Sequence, residues 1–354
     1  MKKILHIVES FGGGVFSFLV DLVGNLSTDY DIVIAYGKRA QTPENFKEYF
    51  PENVKFIEIK NFTRSIGIKD IKAFFEIKKI IKEEKPDIVH LHSSKAGFLG
   101  KFATNTKRVK VLYNPHGFSF LMQDVSKFKQ KIYFLAEKIA SLRKATIIGC
   151  SEGEYKEALK LTKNSICINN GIDITTLREL TKDLKIKELG FNNLKVCTVG
   201  RIGAQKNPSA FNQIAEKLSD IKFTWIGDGD DKHLLVSPNI KITGWLSKKE
   251  VLKELNEQDV FILTSLWEGL PISLLEAMYL KKICIVSNCI GNRDVIKNNM
   301  NGFVYNDLEE LLQIIRNLKN EDLDKIKENE FENIENTFNI DKMVNEYRKI
   351  YNES

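Results

Sequence analysis

Short β-branched apolar runs recur along the chain, each followed by a longer amphipathic stretch. KKILHIV, DIVIAY, VKFIEI, DIVHLH, VKVLYNPH, ATIIGCS and SICINNG have the length and composition of buried strands. Between them, residues 68–84 (IKDIKAFFEIKKIIKEE) and 125–143 repeat apolar side chains at helical spacing. The alternation restarts at KVCTVG, residues 195–200, and continues through KFTWIGDG, NIKITGW, DVFILTS and KICIVSN. Strands alternating with helices imply parallel sheets joined by right-handed crossovers, hence doubly wound α/β structure. The restart predicts two such domains, over 1–171 and 195–337, with the polar, strand-poor segment 172–194 as linker. The final stretch, 338–354, reads as a helix expected to pack back on the first domain.

Length agrees with that division, because single cores seldom grow beyond roughly 250–300 residues and this chain has 354. An apolar fraction of 43% and a charged fraction of 28% are those of a globular protein. No apolar run approaches the roughly 20 residues that span a bilayer. The start, MKKILHIVES, shares only its lysines with a signal peptide, since the apolar run stops at Glu9. It reads as the first strand, and the protein is expected in the cytoplasm. Five cysteines without a CxxC pair argue against a disulfide framework or a zinc site and for buried, reduced thiols.

Charge adds an asymmetry. Residues 1–170 carry 28 Lys and Arg against 18 Asp and Glu, whereas residues 171–354 carry 25 against 29. A basic half suits an anionic partner such as a membrane surface, a nucleic acid or phosphate. Lys-rich solubility would give the same count.

In open parallel sheets, ligands bind beyond the carboxyl ends of the strands, and four loops following strands hold the candidate chemistry. In the first, Gly12, Gly13 and Gly14 precede an amphipathic helix, where backbone N–H groups can approach an anion. A plain tight turn has the same sequence. The loop is not GxGxxG and no acid ends the second strand, so a dinucleotide site is poorly supported. The second loop, YNPHGFSF, sets His116 at a strand end. HLHSSKAG offers His92 and Lys95 as weaker candidates, and its HxH is discounted as a metal site because no third ligand stands nearby in sequence. The third loop, VGRIGAQKNP, holds Arg201 and Lys206, two cations suited to a diphosphate. The fourth, LWEGLPISLLEAM, puts Glu268 before a helix that Pro271 is expected to open, and Glu276 on that helix. Backbone N–H groups at Gly269, Leu270 and Ile272 would make an anion site at its start. Carboxylates accept hydrogen bonds from diols, so Glu276 suits ribose hydroxyls and Glu268 sugar hydroxyls. Two carboxylates from one loop and helix fit a ligand clamp better than a glycosidase pair.

EGLPISLLE, with Glu268 and Glu276 separated by seven residues, resembles the E-x7-E motif of retaining glycosyltransferases of the GT-B fold, in particular glycosyltransferase family 4. Arg201 and Lys206 resemble that family's diphosphate-binding pair, Gly13 and Gly14 its N-terminal glycine loop, and His116 its active-site histidine. NGID (170–173) and GDGD (227–230) stand at the expected places, and the similarity covers essentially the whole chain. Two departures are Lys281 and Ile283, where a Gly-x-Pro step is common, and Gly291-Asn292 in place of a glycine pair.

The resemblance implies two Rossmann-like domains facing each other across a cleft, the second holding a nucleotide-sugar and the first an acceptor. It implies sugar transfer with retention, from a UDP-sugar to a polyprenyl-diphosphate-linked saccharide, in capsule, O-antigen or exopolysaccharide assembly. Arg201, Lys206 and the helix start would stabilise the leaving diphosphate, His116 would contact the sugar, and no metal or other cofactor is expected. A nucleotide-sugar epimerase, or a binding protein without turnover, are the alternatives. No nucleic-acid partner is expected. The basic, aromatic segment 125–145, with Lys127, Lys129, Lys131, Phe128, Tyr133 and Phe134, either rests on anionic lipid at the inner face of the plasma membrane or packs on the sheet with a solvated basic face.

Overall fold

A computed structural model describes residues 1–63, 65–187, 190 and 193–353. The chain divides into two units, Met1–Asn170 with Asp341–Ser354, and Gly171–Ile340.

Among the described residues, the first unit holds a seven-stranded parallel sheet. Its strands are β1 (Lys3–Val8), β2 (Asp31–Tyr36), β3 (Lys55–Glu58), β4 (Ile88–His92), β5 (Lys110–Asn114), β6 (Thr146–Gly149) and β7 (Ser165–Cys167), in the order β3-β2-β1-β4-β5-β6-β7. Helices α1 (Gly13–Leu26), α2 (Ile68–Glu84), α3 (Ser94–Ala103), α4 (Lys127–Ala140) and α5 (Glu152–Leu161) make the crossovers. Both faces of the sheet are covered, so the strands are apolar almost throughout. One core joins Leu5 and Ile7 to Val89 and Leu91, and through them to Val111 and Tyr113.

The second unit holds α6 (Ile174–Thr181), β8 (Lys195–Val199), α7 (Pro208–Lys217), β9 (Lys222–Ile226), β10 (Ile240–Ile242), α8 (Lys248–Asn256), β11 (Val260–Leu263), α9 (Ile272–Tyr279), β12 (Ile283–Ser287), α10 (Asn292–Val295), β13 (Phe303–Tyr305), α11 (Leu308–Asn317) and α12 (Leu323–Thr337). Among the described residues its parallel sheet runs β10-β9-β8-β11-β12-β13. In both sheets the order reverses beside the first strand, between β1 and β4 and between β8 and β11, which is where ligands collect in such folds.

The segment expected to be a linker carries a helix instead. Asp173 caps α6 by accepting from Thr176 N–H, and the helix buries Leu177 and packs against α8. Four of the segment's residues, Glu188, Leu189, Phe191 and Asn192, lie outside the described residues. Helix α13 (Ile340–Asn352) closes the chain in the first unit, where Lys2 Nζ donates to Tyr351 O at 2.9 Å and Lys110 Nζ to Glu353 O at 3.0 Å. All five cysteines are free, and all but Cys167 are buried.

Candidate active site

The site in the second unit is assembled by two loops on either side of the β8/β11 reversal. After β8 the chain runs Gly200-Arg201-Ile202-Gly203, then a short turn to Asn207, whose side chain accepts from Ala210 N–H and caps α7 with Pro208 in its first turn. After β11 it runs Thr264 to Gly269. Hydrogen bonds lace these loops together: Leu266 N–H donates to Gln205 O at 2.8 Å and Thr264 Oγ1 to Lys206 O at 2.6 Å. The result is an ion pair between Lys206 and Glu268 at 2.8 Å, with Gln205 Nε2 donating to Glu268 at 3.3 Å and to Trp267 O at 3.0 Å. Side chains separated by about sixty positions in sequence thus share one point.

Glycines set the clearances. Gly200 has φ +143°, and a Cβ there would lie 2.9 Å from Lys206 Cε, so its absence leaves room for the lysine stem. Beside the carboxylate, Gly291 has φ +86°, and a Cβ would fall 2.5 Å from Gly269 O and 2.9 Å from Glu268 Cβ. The GDGD turn packs under the same loop, with Ile202 N–H donating to Asp228 O at 2.8 Å.

Pro271 stands one residue earlier than expected. With ψ 113° it is extended and flanks α9, which starts at Ile272. Gly269, Leu270 and Ile272 are buried at that helix's head. Glu276 is buried on α9, as its place in the motif requires, but it meets a partner no spacing rule marks: it is ion-paired with Lys248 at the start of α8. At the other end of α9, Lys281, one of the two departures from the resembled motif, adopts φ +56°. There Lys281 N–H donates to Met278 O at 2.9 Å and Lys282 N–H to Ala277 O at 3.0 Å, the paired bonds of a left-handed helix stop.

In the first unit, Gly13, at φ +58°, and Gly14 open α1 with empty space around their Cα atoms. His116 follows β5 with φ +53°, a backbone conformation few non-glycine residues adopt. Its Nε2 is 3.0 Å from His92 Nδ1, and its ring meets the edge of Phe18 at 4.9 Å. The loop is fixed by buried Glu154, which accepts from Gly117 N–H at 2.5 Å and from Cys150 N–H at 2.8 Å. Burial holds the His116 imidazole neutral, its pKa pushed down to about 3.

HxH does acquire a third neighbour, because parallel register sets His6 opposite His90. Ring nitrogens of His6, His90 and His92 lie within 4.8 Å of one another. Both nitrogens of His90 are engaged, however, Nε2 at 2.6 Å from Asn114 Oδ1 and Nδ1 at 2.7 Å from Tyr351 Oη. Near Arg201, Lys206 and Glu268, no three His, Cys, Asp or Glu side chains among the described residues converge on a metal-sized space.

Lys95 is a correction. Its ammonium donates to Thr63 O at 2.6 Å, to Ser65 O at 2.7 Å and to Asp70 Oδ1 at 2.8 Å. All three N–H donors are occupied, by two loop carbonyls and by the Asp70 carboxylate in the first turn of α2, so none remains for an acceptor. Lys127, Lys129 and Lys131 are exposed on α4.

Comparison with known proteins decides the family. The pattern described as Glycosyltransferase Family 4 matches residues 12–176, and that described as Glycosyl transferases group 1 matches residues 181–334. UDP-Gal:alpha-D-GlcNAc-diphosphoundecaprenol alpha-1,3-galactosyltransferase of Escherichia coli is 31% identical over 86% of this chain and 85% of its own. The chain belongs to glycosyltransferase family 4. Another member, the capsular polysaccharide biosynthesis glycosyltransferase CapM of Staphylococcus aureus, is 26% identical over 99% of this chain and 97% of its own. Anabaena HepE, solved with UDP and glucose, superposes with a TM-score of 0.75 at 17% identity, covering 100% of both chains. Such likeness at low identity bears on architecture, and the architecture of this family 4 enzyme is GT-B.

Proposed function

We propose that this enzyme takes a hexosyl or N-acetylhexosaminyl group from a UDP-sugar and transfers it, with retention and without a metal ion, to a saccharide carried on polyprenyl diphosphate. The product belongs to capsule, O-antigen or exopolysaccharide assembly. The observation that carries this reading is the Lys206–Glu268 pair, which joins the loop after β8, the loop that also holds Arg201, to the loop leading into α9 at the strand-order reversal. An ammonium, a guanidinium and a helix N-terminus offer a departing diphosphate positive charge from fixed positions, which is the work a divalent ion does elsewhere. Glu268 takes hydroxyls of the sugar, Glu276 those of the ribose, and His116 contacts the sugar. The glycine loop at Gly13 and Gly14 leaves space for the donor. The E. coli relative makes an α-1,3 bond from UDP-galactose, and since that donor's own anomeric bond is α, its reaction retains configuration.

An acceptor with a lipid tail requires contact with a membrane surface, and α4 supplies a suitable face. Phe128, Ile132, Leu135, Ile139 and Leu142 are all exposed, at steps of four and three residues, with Lys127, Lys129, Lys131 and Lys138 around them. Tyr133 and Phe134 turn inward onto the sheet core, leaving Phe128 as the outward aromatic. No helix among the described residues is long and apolar enough to cross a membrane.

Incubation with radiolabelled UDP-sugars and a synthetic polyprenyl-diphosphate saccharide, with EDTA present, tests the proposal. Labelled lipid product with an α linkage is expected. Strict metal dependence would remove the metal-free scheme, and acceptor-independent conversion of the nucleotide-sugar would replace transfer by epimerisation or hydrolysis.

A further inference from the structure

Four of the chain's five histidines converge in the first unit, and three of them form a continuous line. His6 Nδ1 lies 3.0 Å from His92 Nε2, and His92 Nδ1 lies 3.0 Å from His116 Nε2. His92 and His116 are also nearly parallel, with ring centroids 5.3 Å apart and planes 17° from one another. His6 and His92 are 1% and 0% exposed, so solvent does not compete for these contacts. His90 stands outside the line, held by Asn114 and Tyr351.

A neutral imidazole has one N–H donor and one lone-pair acceptor. His92 contacts a ring on each side, so it donates to one neighbour and accepts from the other. If His116 donates from Nε2 to His92 Nδ1, then His92 donates from Nε2 to His6 Nδ1. All three rings are then Nε2–H tautomers. If the direction is reversed, all three are Nδ1–H tautomers. Any mixed set places two N–H groups or two lone pairs face to face inside the protein, at the cost of an unsatisfied buried polar group. Burial holds His6 and His92 well below the ordinary histidine pKa, so the neutral forms that this logic needs are the ones present.

We propose that His92 and His6 are positioning residues which couple the tautomer of His116 to their own, so that the line as a whole sets whether its Nδ1 donates to or accepts from the transferred sugar. The proposal rests on the reading of His116 as a sugar contact. A sugar hydroxyl can donate or accept, so an uncoupled His116 would meet its substrate in two arrangements, whereas in the line its tautomer changes only if all three rings change together. The left-handed backbone at His116, a costly conformation for a residue with a Cβ, agrees with a ring held for a purpose rather than one filling space.

The test reads ring nitrogens directly. With histidine-selective ¹⁵N labelling, only five side chains contribute signals. In the unsubstituted enzyme, His6, His92 and His116 are expected to be neutral and to share one tautomer. A mixed set, or a charged ring among the three at pH 7, overturns the proposal. His6→Phe leaves the direct neighbour of His116 in place but breaks the line one ring further in. It is expected to turn His116 into a mixture of tautomers and to lower kcat about 10-fold with a smaller change in KM. A folded His6→Phe protein in which His116 keeps its single tautomer also overturns the proposal. If that variant does not fold, His92→Asn reaches toward His116 but not His6, and its amide can turn to donate or accept, so it too should release the His116 tautomer; a single retained tautomer in that variant also overturns the proposal. A released tautomer with unchanged kcat would support the coupling and count against His116 as a sugar contact.

Discussion

At the scale of residues, the Lys206–Glu268 pair has two separable roles. Its side chains are 15% and 8% exposed, between a surface pair and a fully buried one. Lys206→Ala leaves a carboxylate with little water and only Gln205 as a donor, so a loss of about 2 kcal/mol is expected, between the surface and buried limits. Turnover should fall by on the order of 10²-fold if the ammonium stabilises the leaving diphosphate. Adding Glu268→Gln to Lys206→Ala should restore part of the stability, seen by chemical denaturation, while turnover stays low. Recovery of both together would mean that the lysine acts only on Glu268. Arg201, Lys206, Glu268 and Glu276 stand out in the sequence because each follows an apolar strand or rides the helix after it. Gln205 and Lys248 do not. Lys248 reaches Glu276 from 28 positions away on another helix, and no local pattern distinguishes it from the exposed lysines around it. Lys95 differs for the opposite reason: its sequence neighbours advertise a strand-end cation, and the acceptors that capture it, Thr63 O, Ser65 O and Asp70 Oδ1, come from the loop before α2 and from its first turn.

At the scale of elements, α4 carries the clearest prediction. Four large apolar side chains on the solvent face of α4, with Leu142 just past its end, cost solubility. The same pattern repeats on α2, with Ile68, Ile71 and Phe75 exposed. If α4 rests on anionic headgroups, Leu135→Glu should cut sedimentation with phosphatidylglycerol vesicles several-fold and leave the melting temperature unchanged, because that side chain is 59% exposed. Binding should weaken with added salt. Equal sedimentation of the variant and the unsubstituted enzyme would assign the stripe to another role. Helical periodicity revealed α4 but not which of its aromatics pointed out, since Phe128, Tyr133 and Phe134 all fall within a basic run. Strand β13, three residues long like β7 and β10, is the one that the sequence pattern does not mark. The short helix α6 escaped as well, because its burial depends on α8, some seventy residues further on.

For the whole molecule, alternating strands and helices made the fold class readable, whereas the histidine line required the strand order. His6 faces His90, and His92 faces Asn114, only because β1, β4 and β5 are adjacent and in parallel register. Their burial has a consequence for stability against pH. His6, His90, His92 and His116 all have depressed pKa values in the fold, His90 at about 4 and His116 at about 3, with desolvation as the leading cause. An unfolded histidine takes up its proton near 6.5. Between about pH 6 and 5, the unfolded chain therefore binds about four protons that the folded chain refuses, and stability falls as pH falls. Glu330 opposes this. Fully buried on α12, its carboxyl is raised well above 4.5, so in the same window the fold keeps a proton that the unfolded chain releases. The lowered carboxylates Glu84 and Glu250 act below about 4.5, outside the window. The net is an uptake of about three protons on unfolding, or roughly 4.1 kcal/mol of stability lost per pH unit. Proton uptake is a difference between end states, so it holds whether the two units unfold together or in succession. Potentiometric measurement during guanidinium unfolding at about pH 5.5 is expected to give about three protons. Glu330→Gln should raise that number to about four and His90→Gln should lower it to about two, since each removes a single contribution of known sign. An uptake near zero in the unsubstituted enzyme would mean that these histidines are charged in the fold, and the hydrogen-bonded line of neutral rings would fall with it.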